Sequence, residues 1–296
     1  MLLTRRRSTG PSDKEEYWVA VGRCVGRYWV GCSGWAYDDW VGPFYPQGTP
    51  PGDYLTRYAR VFRVVEVDSS FYRPPGLFLV RRWAERTPEG FRFTLKVPRE
   101  VTHATESAAS SSVLESFLSS LEPLRSRGKL GPVVLQFPAS FRAGAGRERL
   151  ERLLAAVPPG YSLAVELRHA SWWTPATRSL LEDRRAALVW SVVPDARPPP
   201  WVTGDFLYVR FIGDRALTRF DRLQRDGRPE IDAMKTLLET EGRPLDTVFA
   251  FANNHFMGFG PATAALVAGA LGEPIPDLSA AGRERGQTRL GPGPDR

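Results

Sequence analysis

Valine-rich or aromatic runs in this chain close, one after another, on side chains that chemistry uses. They end at Cys32 and Ser33, Glu66 and Asp68, Lys96, Gln136, Glu166 and Arg168, Arg210, and Asn253 and Asn254. A buried run gains nothing by ending in an unpaired charge, which costs several kcal/mol or more. Repetition of the pattern therefore predicts that these groups converge on one site. Period-two alternation puts Glu66 with Asp68, Glu166 with Arg168, Thr94 with Lys96, Val134 with Gln136 and Tyr208 with Arg210 on common faces. In that cluster Glu166 is the expected general acid or base, its proton affinity set by Arg168, Arg210 and Lys96. Lys96 and Arg168 would stabilise developing negative charge. The competing reading is a structural ion-pair layer. Function is favoured for the cluster as a whole, because buried ion pairs stabilise less than apolar packing.

The loops between the runs add binding groups. Ser33–Pro46 carries Trp35, Tyr37, Trp40, Phe44 and Tyr45, flat faces suited to a sugar ring or an unstacked base. Further on, Asn253-Asn254-His255-Phe256-Met257-Gly258-Phe259-Gly260-Pro261 has the glycines and first-turn proline of a helix start, where free N–H groups favour an anion. The expected binding set is Arg210, Glu66, Asp68, Trp35, Tyr37, Gln136, His169, Asn253, Asn254, Gly258 and Gly260. The three histidines, His103, His169 and His255, each follow a run but lack ligand spacing such as His-x-x-x-His, so no metal and no cofactor is assigned. Cys32 has no adjacent base and reads as a small buried residue rather than a nucleophile.

Positioning these groups requires strands that point one way. Eight are expected: 28–34, 63–69, 91–97, 132–138, 163–168, 187–193, 206–212 and 247–253. Helical periodicity separates most of them, over 54–60, 77–86, 112–124, 147–156, 175–185, 231–241 and 262–270. The stretch 194–201 holds four prolines, so the sixth crossover is expected to be irregular. Such alternation implies parallel strands. Polar ends spread around the whole chain favour a single (β/α)8 TIM-type barrel, with its active site at the C-terminal ends of the strands. The glycine pattern of a dinucleotide fold is missing after the first run, where Gly31-Cys32-Ser33-Gly34-Trp35 stands instead. Residues 1–26 are expected to form a flexible leader, 27–272 the barrel and 273–296 a disordered tail.

Of the formal charge of +7, residues 1–27 carry +3 and 273–296 none, leaving +4 on the intervening segment. That is a mild excess for a nucleic-acid binder. No apolar stretch has the roughly 20 residues needed to span a bilayer, no secretory signal is visible, and two cysteines are too few for a disulfide framework. A cytoplasmic protein with no membrane partner is the expectation.

Taken in order, several segments resemble one family, the YecE-like domain-of-unknown-function 72 family. They are Gly31–Trp35 with Trp40 and Phe44–Pro46, Val65–Tyr72, Trp83 with Thr87-Pro88, and Phe93–Lys96 with Thr102-His103. Lys129–Pro132 with Leu135–Pro138, Val165–His169 with Ser171-Trp172, Tyr208–Arg210 and Phe251–Asn254 complete the set. The resemblance runs from about Val30 to about Leu266 and implies a βα barrel with these residues at its mouth. It implies no reaction. Two departures stand out: Cys32-Ser33-Gly34-Trp35 where many relatives have Thr-Ser-Gly-Trp, and Ile212-Gly213 where many have His-Gly. The leading expectation is a metal-independent enzyme (lyase, isomerase or hydrolase) acting on a small anionic substrate such as a sugar phosphate or nucleotide. In that reading Arg210 and the Gly258–Thr263 helix start hold the anion. The alternative is a nucleic-acid binding or repair protein that grips a single strand or a flipped base.

Overall fold

Parallel strands covered on both faces read as continuous apolar runs, and Val64–Val67 and Leu163–Glu166 are buried at every position. The computed structural model of the protein describes residues 27–103, 108–193, 198–240 and 247–283. Its strands are β1 (Arg27–Ser33), β2 (Val64–Val67), β3 (Arg92–Lys96), β4 (Leu130–Gln136), β5 (Leu163–Glu166), β6 (Ala187–Val192), β7 (Leu207–Phe211) and β8 (Thr247–Ala252). They pair in chain order, all parallel, and β8 returns to β1 to close the barrel. The helices are α1 (Tyr54–Tyr58), α2 (Leu77–Arg86), α3 (Arg99–Thr102), α4 (Ala108–Ser120), α5 (Glu122–Arg125), α6 (Ala143–Ala156), α7 (Pro175–Asp183), α8 (Arg228–Thr240), α9 (Asn254–Met257) and α10 (Gly260–Ala270). Among the described residues no helix is long and apolar enough to cross a membrane.

Alternation along the strands divides the interior into layers. Trp29, Val64, Val134, Ala164, Val189, Tyr208, Phe249 and Phe251 pack together as an apolar plug inside the barrel. Two residues further along their strands, on the same face, come Glu66, Gln136, Glu166, Ser191 and Arg210. The apolar plug thus supports a polar layer at the C-terminal ends of the strands.

Several details depart from the expected elements for physical reasons. β2 ends at Val67 and β5 at Glu166, so Asp68 and Arg168 lie beyond the strands. The 112–124 helix divides into α4 and α5, the second starting with a proline in its first turn. α6 begins earlier than expected and includes Gly146, where the Phe141 ring lies 2.5 Å from any added Cβ. Between β6 and β7 no helix occurs among the described residues. Instead Thr203 Oγ1 accepts from the Leu188 amide and donates to the Ala186 carbonyl, tying the connection to β6. The boundary expected at residue 272 falls short. Leu278–Gly282 forms a 3-10 turn with Ala281 fully buried, and the Arg57 and Arg60 guanidiniums donate to the carbonyls of Ala281 and Arg283. Residues 1–26 and 284–296, and Cys24 with them, lie outside the described residues.

β1 and β2 meet through a side chain. The Tyr58 hydroxyl accepts from the Cys32 amide at 2.8 Å and donates to the Val64 carbonyl at 2.9 Å, taking the place of a ladder bond. Gly31 permits this, because an added Cβ would stand 2.2 Å from the Val64 carbonyl oxygen.

Candidate functional site

Arg210, at the end of β7, organises the mouth of the barrel. Its Nε donates to Glu66, its Nη2 to Glu66 at 2.8 Å and Asp68 at 3.3 Å, and its Nη1 to Glu166 at 2.7 Å and Gln136 at 3.4 Å. A guanidinium has five N–H donors, and all five here meet acceptors of the protein. The side chain is 2% exposed. Three carboxylates around it hold its proton more firmly than usual, although burial acts the other way.

Glu66 is saturated too. Besides Arg210 it accepts from the Ser33 hydroxyl at 2.8 Å and the Tyr208 hydroxyl at 2.7 Å, and Thr94 meets Tyr208 at 2.8 Å. Glu166 gives Oε2 to Arg210 and Oε1 to Nε and Nη2 of Arg168. Burial opposes its charge, but Arg210, then Arg168 and Lys96, outweigh burial and hold its carboxyl below the usual carboxylate range. At 1% exposure, with both oxygens engaged, Glu166 is not placed to exchange protons with a ligand. This is the environment of the residue that the sequence makes the expected general acid or base. Arg210, the expected anion-holding residue, has all of its N–H groups engaged within the protein.

Other charged groups lie one step nearer solvent. A cavity of about 530 Å³ opens above the network, bordered by Asp68, Lys96, Gln136, Arg168 and the edge of Arg210. Lys96 Nζ meets Asp68 Oδ1 at 2.6 Å, with Lys96 8% and Asp68 26% exposed. Burial again works against the charge on Asp68, and Lys96 with Arg210 overcomes it, keeping the carboxylate ionised. Arg168 is 27% exposed, and among the described residues its Nη1 makes no hydrogen bond. Tyr37 borders the cavity and donates its hydroxyl to the Ser33 carbonyl, and burial pushes its ionisation upward.

Asn253 and Asn254 serve two purposes. Asn253 caps α9 by accepting from the His255 amide, and Asn254 Oδ1 accepts from Trp40 Nε1 and the Gly260 amide. Both border the cavity, and among the described residues the buried Asn254 Nδ2 has no partner. Buried donors are seldom left unsatisfied.

Other expected binding residues are elsewhere. The Trp35 ring packs edge-on against Trp83 and Phe93. Gly258 is the left-handed C-cap of α9, with Gln224 and Arg222 against it. The start of α10 is buried and the Gly260 amide is committed to Asn254, so this helix start is not open to an anion. His169 spends Nδ1 on the amide of Ser171, capping the turn after β5.

The cavity wall also holds residues outside the expected binding set. Phe71 and His103 stack edge to face at the cavity wall, and burial followed by the charge of Arg168 keeps His103 neutral more readily than usual. Tyr72, Arg215, Phe220 and His255 complete the rim. His255 Nδ1 meets the Leu217 carbonyl at 2.9 Å, and Phe220 donates its amide to Asp39, so the middle of the loop after β7 is tied to the loops after β8 and β1. Among the described residues no three His, Cys, Asp or Glu side chains are grouped to hold a metal ion. Cys32 is fully buried and burial pushes its thiol up, consistent with a packing role.

A family model described as "Protein of unknown function DUF72" matches residues 29–287. The UPF0759 protein YecE of Escherichia coli O157:H7 is 29% identical over 175 residues, 57% of this chain and 60% of that protein. The UPF0759 protein YunF of Bacillus subtilis (strain 168) is 28% identical over 151 residues, 50% of this chain and 52% of that protein. The chain therefore spans less than two thirds of the length of these relatives. The crystal structure of a DUF72 family protein from Thermotoga maritima is similar with a TM-score of 0.70 and 29% identity, covering 83% of this chain and 99% of that one. A match from β1 to beyond α10, carrying the strand-end residues that build the mouth, shows that the chain belongs to the DUF72 family.

Proposed function

We propose that the barrel mouth is the active site of a metal-independent enzyme acting on a small anionic substrate of sugar-phosphate or nucleotide size. The observation that carries this reading is the pairing of Lys96 and Arg168, two cations with donors to spare, beside the part-exposed Asp68 on the floor of one cavity. A volume of about 530 Å³ falls in the range of roughly 300–1,000 Å³ usual for metabolite sites. Arg168 and Lys96 bind the anionic group and stabilise charge that develops beside it. Asp68, ionised and reachable, takes the proton. Its low proton affinity makes it a weak base, so the neighbouring cations must supply much of the stabilisation. Glu166 and Glu66 hold the guanidiniums in position, and Asn254 Nδ2 offers a donor to a substrate oxygen. Lyase, isomerase and hydrolase chemistry all use such a proton transfer.

The test is a thermal-shift comparison of sugar phosphates, nucleotides and single-stranded oligonucleotides at low and moderate salt. A ligand at 100 times its dissociation constant adds about 2.7 kcal/mol, raising the midpoint by roughly 5–10 °C in a domain of this size. The expected result is a salt-tolerant shift from a small anion, lost in Arg168→Ala. No shift from any small anion, or one indifferent to Arg168→Ala, would remove the proposal. A shift seen only with oligonucleotides and erased by salt would favour a nucleic-acid partner instead.

A further inference from the structure

Large apolar side chains left in water are unevenly placed on this molecule. Among the described residues seven are exposed, and four of them, Tyr72, Leu77, Phe78 and Leu79, fall within eight consecutive positions. Tyr72 is 64% exposed and Phe78 72%. The segment leaves the turn after β2, crosses Pro74-Pro75-Gly76 and enters the first turn of α2. From Tyr72 to Arg82 it contains no acidic residue, while Arg73, Arg81 and Arg82 are exposed within it. Clustered exposed apolar surface marks a binding surface far more often than scattered single residues do.

This surface adjoins the cavity along the chain. Tyr72 borders the cavity, and Pro74, Pro75 and Leu77 form one wall of an open groove whose other wall, on α4, sets Val113 and Phe117 among four serines. Two peptide units separate Tyr72 from Pro74, so their Cα atoms lie within about 7.6 Å. A ligand whose anionic group sits at Lys96 and Arg168 has an apolar path outward over Tyr72. The groove begins two residues along the chain from Tyr72 on the cavity rim, and a groove suits one extended chain better than the face of a bilayer.

We infer that the ligand of this site is an amphiphilic anion, with its head group at Lys96 and Arg168 and an alkyl, acyl or aryl arm lying in the groove between Pro74, Leu77 and Phe117. The inference rests on the anion-binding reading above and extends it to a substrate class. The exposed arginines favour the same ligand, because they exclude cationic amphiphiles from the rim.

The experiment titrates n-butyl phosphate and n-octyl phosphate, the latter below its micelle concentration, by calorimetry. Four further methylenes, each half-buried in an open groove, strengthen binding about twofold apiece, so octyl phosphate should bind about fifteenfold more tightly. Leu77→Asp/Phe78→Ser, changed at exposed positions, should reduce octyl to the butyl level and leave butyl phosphate unaffected. Arg168→Ala should weaken both. Equal affinities in the unaltered protein would overturn the arm and leave the anion site standing. Octyl binding indifferent to Arg168→Ala would be detergent adsorption and would also overturn it. Absence of binding by either phosphate would overturn both readings. Binding to phosphatidylglycerol vesicles without discrimination between the two phosphates would assign the patch to a lipid surface and refute the arm.

Discussion

Arg210→Met removes the one cation shared by Glu66, Glu166 and Asp68 while keeping a comparable apolar stem. Glu66 and Glu166 are 0% and 1% exposed, so neither can turn to water for replacement bonds. Glu66 retains the Ser33 and Tyr208 hydroxyls, and Glu166 retains Arg168. Breaking a buried pair in this way costs about 3–5 kcal/mol. For a domain of this size each kcal/mol lowers the midpoint by roughly 2–4 °C, giving a fall of roughly 6–20 °C at pH 7. The pH dependence follows from Glu166 and Asp68, whose carboxyls lie below the usual range in the folded protein. Their stabilisation is complete above the unfolded values near 4 and is lost as pH falls through the folded ones. Without Arg210 that contribution shrinks, so the gap between the two proteins should narrow as pH drops below about 4. Melting by circular dichroism from pH 3.5 to 7.5 measures it. A variant melting within about 2 °C of the parent at pH 7, or a gap constant with pH, would refute the view of Arg210 as the keystone of the polar layer.

Other expectations follow from the same geometry. With a substrate in hand, Asp68→Asn should abolish turnover, while Glu166→Gln should lower the melting midpoint and leave measurable turnover; the opposite pattern would restore Glu166 as the proton carrier. Tyr45, Tyr58 and Tyr208 are buried, and burial raises their ionisation above the ordinary value. Their contribution is intact below the unfolded value of about 10 and is lost above it, so alkaline unfolding and tyrosinate absorbance should rise together beyond about pH 10. Lys129 Nζ, buried below the barrel, donates to the Ala84 and Thr87 carbonyls at the end of α2. Lys129→Met strands these acceptors and should cost about 2–4 kcal/mol in urea unfolding, with no change in anion binding.

Much of the barrel was legible because its strands are unbroken apolar runs ending in polar groups, a pattern that survives without any knowledge of pairing. The convergence of Glu66, Glu166, Gln136, Lys96 and Arg210 followed from alternation alone. Asp68 and Arg168 reached the same place by another route: both lie past their strands and return through ion pairs. What alternation could not show is saturation. That all five donors of Arg210 and both oxygens of Glu166 are spent is a fact of three-dimensional counting, and it is why the proposed chemistry is placed on Lys96, Asp68 and Arg168. Trp35, Gly258 and Gly260 looked like ligand contacts because aromatic and glycine-rich loops resemble binding loops; here they pack against Trp83, Gln224 and Asn254. Phe220 offered no spacing signal, while Tyr72 follows the second strand among rim aromatics. His103 did offer one, its place just beyond the third strand.

Closure of β8 onto β1 also governs how the protein is made. β1 is finished at Ser33, but its outer partner, Thr247–Ala252, is the last strand synthesised. At about 5–20 residues per second, roughly 10–45 s of translation separate the two. Through that interval β1 presents an unpaired edge, the kind of edge that recruits foreign strands. The turn ending at Gly282, which Arg57 and Arg60 latch to α1, emerges later still. A ribosome stalled before residue 252 would therefore hold a nascent chain with an open seam, and termination between Phe211 and Thr247 should yield aggregation rather than a shortened, working barrel.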